Sequence, residues 1–488
     1  MALDSAVPGS AECVIVGGGL AGLELAAQLA LRGGRPPLVI EAGPDRGSEH
    51  YRWALNGAAA DRYWIDPSQD ESFWRPYEAN DGSFVGLAGL RRRLGGRSLY
   101  WHGVTLPVED WALDEKWPES VVRDLTKEWD GGEPLYARVE RELAEWSGQD
   151  GATTRGGDQR VSLGGYLFQE VPQALRFGGD GRWKAYSPLE GLTPSHATVL
   201  CDSEVLGVLT RDGATCGVRV RHQGVVHDIR TERVVLAAGT IESSRLAIQT
   251  LSGEGLLDRP RLTGLVDKVA HGFSASFTPG SLPAEIEQAA AANVVFQAPA
   301  REGLRSNIFV AASVNAYGLP VLRTSFIGEQ IAGPLGVVEC DARGEWPWQT
   351  SVLCSRSPVD QKLARAQQEE IQRFWEEICG QAGVLDAPTL VFDAEPGSPD
   401  VPQRLVASRS FQTPGMVCTY SFPLGTENHE AGTLPLGSVL DEDHQFRDLA
   451  GLYAVGPAIF PRAGAANPAL TTLALAKRLA GILAPQIA

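Results

Sequence analysis

Val14-Ile15-Val16-Gly17-Gly18-Gly19-Leu20-Ala21-Gly22, near the start of a chain of 488 residues, is the stretch whose reading decides the fold. Three apolar residues of strand type run into Gly17-x-Gly19-x-x-Gly22, and a Leu/Ala pattern of helical character follows over 20–32. Gly17 permits a tight turn, Gly19 lets a backbone approach a pyrophosphate, and Gly22 allows a helix to pack closely on a strand. Leu20 and Ala21 open that helix, whose N-terminus adds positive potential at the same place. Gly33-Gly34 end the helix, and Leu38-Val39-Ile40 makes the next strand. Glu41 and Ala42 follow, with the carboxylate placed to accept hydrogen bonds from an adenosine ribose. Strand, helix, strand and acid in this order predict a βαβ unit that binds a dinucleotide.

Two later segments read as parts of the same domain. Around 195–255, strands are expected at 205–209 and 217–220. Val234-Val235-Leu236-Ala237 then breaks at Ala238-Gly239 into a helix from about Glu242. Around 425–488, Leu452-Tyr453-Ala454-Val455 is a strand, followed by a Gly/Pro-rich turn and a helix over 470–483. Between these lie segments of other character. Residues 113–194 hold an amphipathic helix near 133–146 and then a Gly-rich, loop-like region. Residues 261–424 alternate apolar and polar residues in short runs, such as 306–312 and 321–327, and carry one long charged helix near 358–382. The expected fold class is α/β: a Rossmann-like nucleotide domain built from discontinuous segments (1–112, 195–260 and 425–488), with an α+β substrate domain containing an antiparallel sheet (113–194 and 261–424).

One fingerprint does not separate FAD from NAD. Two more glycine turns do: Leu94-Gly95-Gly96-Arg97-Ser98-Leu99-Tyr100-Trp101-His102-Gly103, and the turn at Ala238-Gly239 before Glu242. A dinucleotide domain with such further turns has the pattern of flavoproteins.

Four ordered motifs resemble the glucose-methanol-choline (GMC) oxidoreductase family, over 13–44, 94–107, 199–247 and 427–483. The likeness is strongest where Gly451-Leu452-Tyr453-Ala454-Val455-Gly456 leads to Phe460-Pro461-Arg462-Ala463-Gly464-Ala465-Ala466-Asn467-Pro468. His429-Glu430-Ala431-Gly432-Thr433 is similar to the family's H-x-x-G-T segment. With Asn467 as second member of the catalytic pair and Gly456 where many relatives have aspartate, the pattern resembles the pyranose oxidase and C-glycoside oxidase branch. The resemblance implies FAD contacts from Gly95, Gly96, Ser98, Trp101, His102, Gly103, Val205, Ala238, Gly239, Glu242, Gly456, Pro457, Asn467, Pro468 and Thr471, besides Gly17, Gly19, Leu20, Ala21, Gly22, Glu41 and Ala42. Some relatives attach FAD through a histidine in the second glycine turn. Tyr100 holds the matching position here, so non-covalent FAD is expected, although His102 lies close enough to serve.

The same residues make chemical sense alone. Oxidising a CH–OH group of a sugar, glycoside or other alcohol to a carbonyl removes a hydroxyl proton and a hydride. His429 suits the proton step, and Asn467 can donate to the developing alkoxide or cap the following helix. That helix directs its N-terminal dipole at whatever lies above Pro468. His102 is read either as a residue near the flavin or as a structural one. Trp346, Trp348, Phe309 and Phe326 are read mainly as core, and Asp441 and Asp443 as a solvated turn. A redox-neutral or lyase-type flavoenzyme on the same scaffold is the alternative.

Composition narrows the partners. A formal charge of −17 argues against nucleic acid. The run Arg91-Arg92-Arg93 is the exception, a solvated face or a source of positive potential near an anion. No run of about 18 apolar residues occurs, so no membrane span is expected. The start of the chain shows no signal peptide, and seven scattered cysteines suit reduced thiols, so a cytoplasmic location is expected. No histidine spacing suits a metal. The partner expected is a small-molecule alcohol or sugar. The oligomeric state is not readable.

Overall fold

The computed structural model describes residues 6–55, 57–79, 84, 89–148, 160–178, 182–384, 386–393 and 400–486, so the N-terminal five residues lie outside it. Five strands form a parallel sheet: β1 Val14–Val16, β2 Leu38–Ile40, β3 Thr198–Leu200, β4 Val234–Leu236 and β5 Leu452–Ala454. Their order is β3-β2-β1-β4-β5. Every residue of β1, β2, β4 and β5 is buried, as expected of a parallel sheet covered on both faces. Helices α1 (Leu20–Leu31), α2 (Thr240–Gly253) and α3 (Ala469–Leu483) accompany it. Helices α1 and α3 pack together, joined by a buried ion pair of Lys477 Nζ and Glu24 Oε1 at 2.6 Å. Thus three stretches of the sequence meet in one sheet, as the discontinuous α/β reading requires.

The expected strands at 205–209 and 217–220 are longer, Ser203–Arg211 and Ala214–His222, and a third strand, Val225–Arg230, pairs with them. That third strand escapes the sequence pattern because it is an edge with only Ile229 buried.

A seven-stranded antiparallel sheet forms the other large layer. Its order is Val417–Phe422, Lys268–Ser276, Pro320–Glu329, Ser306–Val314, Val295–Pro299, Tyr166–Glu170 and Arg160–Leu163. Phe168, Phe273, Phe296 and Phe326 pack under the helix Pro358–Gln381, which contributes Phe374 and Trp375. A capping box of Ser357 and Asp360 starts that helix. The helix expected near 133–146 spans Leu135–Gly148, but the region after it is not merely loop. Leu163 pairs with Tyr166 across Gly164-Gly165, both with positive φ, making a two-residue hairpin of the type that demands glycine. Glycines that read as loop are here the turn of a sheet.

Of the aromatic candidates, Phe326 is wholly buried in this core, Trp348 packs against the core of the parallel sheet, and Trp346 lies over Gly207. Asp441 accepts hydrogen bonds from the amides of Asp443 and Gln445, so the acidic pair forms a turn. All seven cysteines are free thiols. Among the described residues, no helix is long and apolar enough to cross a membrane, and no three potential metal ligands cluster.

Candidate active site

A cavity of about 540 Å³ lies between the two sheets, reached by the ends of β1, β2, β4 and β5. Its lining includes Gly17, Gly19, Leu20, Ala21, Glu41, Ala42, Gly96, Ser98, Trp101, His102, Val205, Ala238, Gly239, Glu242, His429, Gly456, Pro457, Asn467 and Pro468. Residues far apart in sequence and read separately as site residues therefore share one space. Gly22, Gly95, Gly103 and Thr471 stand outside this lining.

The glycine turn is built from backbone. Gly17 has φ +109°, and a Cβ there would lie 2.6 Å from the Ala237 carbonyl oxygen. Gly22 sits against the turn itself: its Cβ would come within 2.1 Å of the Gly17 carbonyl oxygen. It serves packing, as its spacing implied, and does not face the cavity. Gly19 differs, since a Cβ there meets no protein atom within 4 Å. Glu41 braces the turn by accepting from Gly18 N at 2.9 Å and Gly43 N at 2.8 Å. Burial, opposed by these amides, pushes its carboxyl up to about 7. Gly95 donates its amide to the Gly18 carbonyl at 2.8 Å, coupling the second glycine turn to the first. Ser98 is held by the Gly95 carbonyl and Ser187, and Trp101 donates to the Tyr186 carbonyl.

Arg91, Arg92 and Arg93 are not a solvated run. Arg91 stacks over Phe73 and Tyr100 and faces Asp70. Arg92 donates to the Ala42 carbonyl, and Arg93 to the carbonyls of Arg46 and Gly47. Arg91 and Arg92 also line the cavity, which supports the reading as positive potential.

Also on the cavity wall, Asn467 Nδ2 lies 3.2 Å from His429 Nε2. No side chain caps α3, so the Asn467 amide is committed to the histidine and the first amides of α3 remain open beside Pro468. Thr471 is turned away, with its hydroxyl 2.9 Å from Tyr136. The next residue, Thr472, lines the cavity with a buried hydroxyl that has no partner. The one-residue offset is a matter of helix phase, which a motif match does not resolve.

Two consecutive residues that the motifs did not reveal hold this pair. Asp267 accepts from His429 N at 3.2 Å and Gly425 N at 2.6 Å. Lys268 Nζ donates to the carbonyls of Ala463 at 3.1 Å and Gly464 at 2.6 Å, in the loop that carries Asn467. Backbone bonds between Val266 and Ala431 seat the first strand residues beside the histidine segment. Arg97 adds a 2.6 Å ion pair to buried Glu430. Burial, with Lys268 and Arg97 nearby, holds His429 well below the usual 6.5, so the imidazole is neutral at pH 7. With Asn467 donating, Nε2 presents a lone pair. Burial and Glu430 push Asp267 up to about 7, and burial and Asp267 push cavity-lining Glu427 up to about 8. His102 projects into the cavity, and desolvation there lowers it to about 3.

The chain's likenesses agree with this geometry. Residues 352–476 match the family model of the GMC oxidoreductase C-terminal domain. Pyridoxine 4-oxidase from Mesorbium loti superposes with a TM-score of 0.59 at 18% identity, over 97% of this chain and 99% of that one. A variant of Aspergillus oryzae RIB40 formate oxidase, studied for its FAD modification, gives a TM-score of 0.65 at 15% identity over 99% of both chains. Another formate oxidase structure gives 0.63 at 14% identity with the same coverage. No curated protein matches by sequence. The chain carries a GMC oxidoreductase C-terminal domain on the mixed α/β fold of these oxidases. It is an FAD-dependent oxidoreductase.

Proposed function

We propose that this oxidoreductase oxidises a CH–OH group of a sugar, glycoside or other alcohol to a carbonyl, with His429 as base and Asn467 as hydrogen-bond donor to the substrate oxygen. The observation that carries this reading is the 3.2 Å pairing of His429 Nε2 with Asn467 Nδ2 on the wall of the cavity that also contains the glycine turn.

The residues fit FAD. Gly19 is open to the cavity where a Cβ would intrude, and Glu242 Oε1 and Thr472 Oγ1 are buried polar atoms without partners. In this reading the segments 1–112, 195–260 and 425–488 make a Rossmann-like FAD domain, and 113–194 with 261–424 cover it as the substrate domain. The turn at 17–19 and the start of α1 hold the pyrophosphate. Gly239 and Glu242 stand beside the adenosine half, while Pro468 and the open amides of α3 serve the ring system. Tyr100 stacks on Tyr51 in place of an attaching histidine, which favours non-covalent FAD. Bound FAD supplies the acceptor for the hydride leaving the carbinol carbon.

The protein's own part is proton handling and orientation. A substrate hydroxyl that displaces the Asn467–His429 hydrogen bond gives its proton to neutral His429 Nε2. Asn467 Nδ2 then donates to the oxygen as negative charge develops there. Asp267 and Lys268 keep the two side chains at this separation while the substrate comes and goes. Reduction of the holoenzyme's FAD should be followed anaerobically across polyols, glycosides and aliphatic alcohols. Bleaching by at least one class, with a product two hydrogens lighter, supports the proposal. FAD that stays oxidised while a product of unchanged oxidation level forms defeats it.

A further inference from the structure

Arg323 lies in the strand Pro320–Glu329, on the same face as Ser325 and Ile327 by strand alternation. Ser325 and Ile327 line the cavity that holds His429, and Arg323 stands next along that face, just beyond the lining. Arg323 is only part buried, and it makes no hydrogen bond or ion pair with any described residue. Its surroundings add positive charge. Arg52 is near enough to repel it, and Arg52 is itself bound at 3.0 Å to Asp61, a carboxylate that Arg409 also engages. Asp61 thus serves two other arginines, and Arg323 is not bonded to it. His102, a cavity-lining group that feels the charge of Arg323, is neutral at pH 7 and offers no counter-charge. A part-buried guanidinium beside a second arginine and without a carboxylate partner gains most from an anion that reaches it.

We propose that the substrate carries an oxyanionic group, carboxylate or phosphate, and that Arg323 receives it while the alcohol of the same molecule reaches His429 and Asn467. This rests on the reading of the pair as the reaction site. Arg323 is then a determinant of substrate class. Its planar fork matches both oxyanions, and as the unpaired cation it gains a partner only in the complex.

Binding can be measured without turnover, through changes in FAD absorbance when holoenzyme is titrated anaerobically with benzoate, phenyl phosphate and neutral benzamide. At least one anion should bind tenfold or more tighter than benzamide, and the better of the two identifies the group. Arg323→Gln should erase that preference and leave benzamide affinity unchanged. Its melting temperature should be equal or higher, because an unpaired, part-buried charge is removed; a residue with a purely structural role would lower it. Equal affinities for all three probes in the wild-type protein, or an unchanged anion preference in Arg323→Gln, would overturn the proposal. Arg323-dependent anion binding in a protein whose FAD no alcohol reduces would sink the oxidation reading and leave the anion site standing.

Discussion

The two parts of the cavity wall proposed to serve the cofactor and the reaction are built on different principles. The cofactor end is backbone: glycines at 17, 19 and 22, an adjoining turn at 95–96, and one carboxylate, Glu41, that braces amides. The reaction end is side chain: His429 and Asn467, fixed by Asp267, Lys268 and the Arg97–Glu430 pair. Backbone sites are shaped by close approach of main-chain atoms, and a Cβ at Gly17 or Gly22 would collide with them. Side-chain sites tolerate changes of shape but fail when one proton or one hydrogen bond is lost. Variants at the two ends should therefore fail in different ways, and the following tests are chosen to break that division.

The largest effect belongs to His429→Ala. Anaerobic FAD reduction should slow by roughly 10²–10⁴-fold, the range of lost general-base catalysis. Bound FAD and melting temperature should stay near wild type. Asn467→Ala should follow with roughly 10²–10³-fold, as for removal of one donor to a developing oxyanion. A pH profile adds a sign. The base works unprotonated, and burial holds His429 well below 6.5, so it stays unprotonated to lower pH than a free histidine. The acid limb of kcat/KM should therefore fall below pH 6.5. A limb centred above that value would mean another group limits the reaction.

At the cofactor end the effects are on stability. Replacing a helical glycine by alanine ordinarily helps by up to about 1 kcal/mol. Gly22→Ala should do the reverse. The new Cβ would lie 2.1 Å from the Gly17 carbonyl and 3.2 Å from Ile15 Cγ2, and overpacking of that kind costs roughly 1–3 kcal/mol. A raised melting temperature would show that the turn is softer than its geometry indicates. Glu41→Gln is next. An amide has one carbonyl oxygen where the carboxylate has two, so Gly18 N or Gly43 N loses its acceptor, at about 1–3 kcal/mol. Unchanged stability and FAD retention in this variant would remove Glu41 as the brace.

The same division explains what the sequence made legible. The turn, α1, β2 and Glu41 fall within one short stretch, and local chemistry dictates each of them, so they could be read without the fold. His429 and Asn467, which the fold brings together on the cavity wall, could be singled out because their flanking residues form recognisable motifs. Asp267 and Lys268 carry no such mark. Asp267 precedes and Lys268 begins a strand whose role depends on Val266 pairing with Ala431, a contact that only the folded chain creates. Thr472 and not Thr471 lines the cavity because facing is set by helix phase. The edge strand Val225–Arg230 and the Gly164-Gly165 hairpin were missed for the opposite reason: exposure and glycine made strands look like loops.

The smallest structural effect is the sharpest test. Gly19 has an ordinary φ of −92°, and a Cβ there meets no protein atom within 4 Å. Gly19→Ala should therefore leave the melting temperature of the FAD-free protein unchanged, within about 0.5 kcal/mol of stability. The methyl group would instead occupy space on the cavity wall where the turn approaches the pyrophosphate, so FAD affinity should fall at least tenfold. Gly22→Ala and Gly19→Ala, three residues apart in one motif, then separate packing from binding: the first should lower stability with or without FAD, the second only FAD retention. If Gly19→Ala keeps its FAD, the pyrophosphate does not lie against this turn, and the cofactor end must be sought along another part of the same wall.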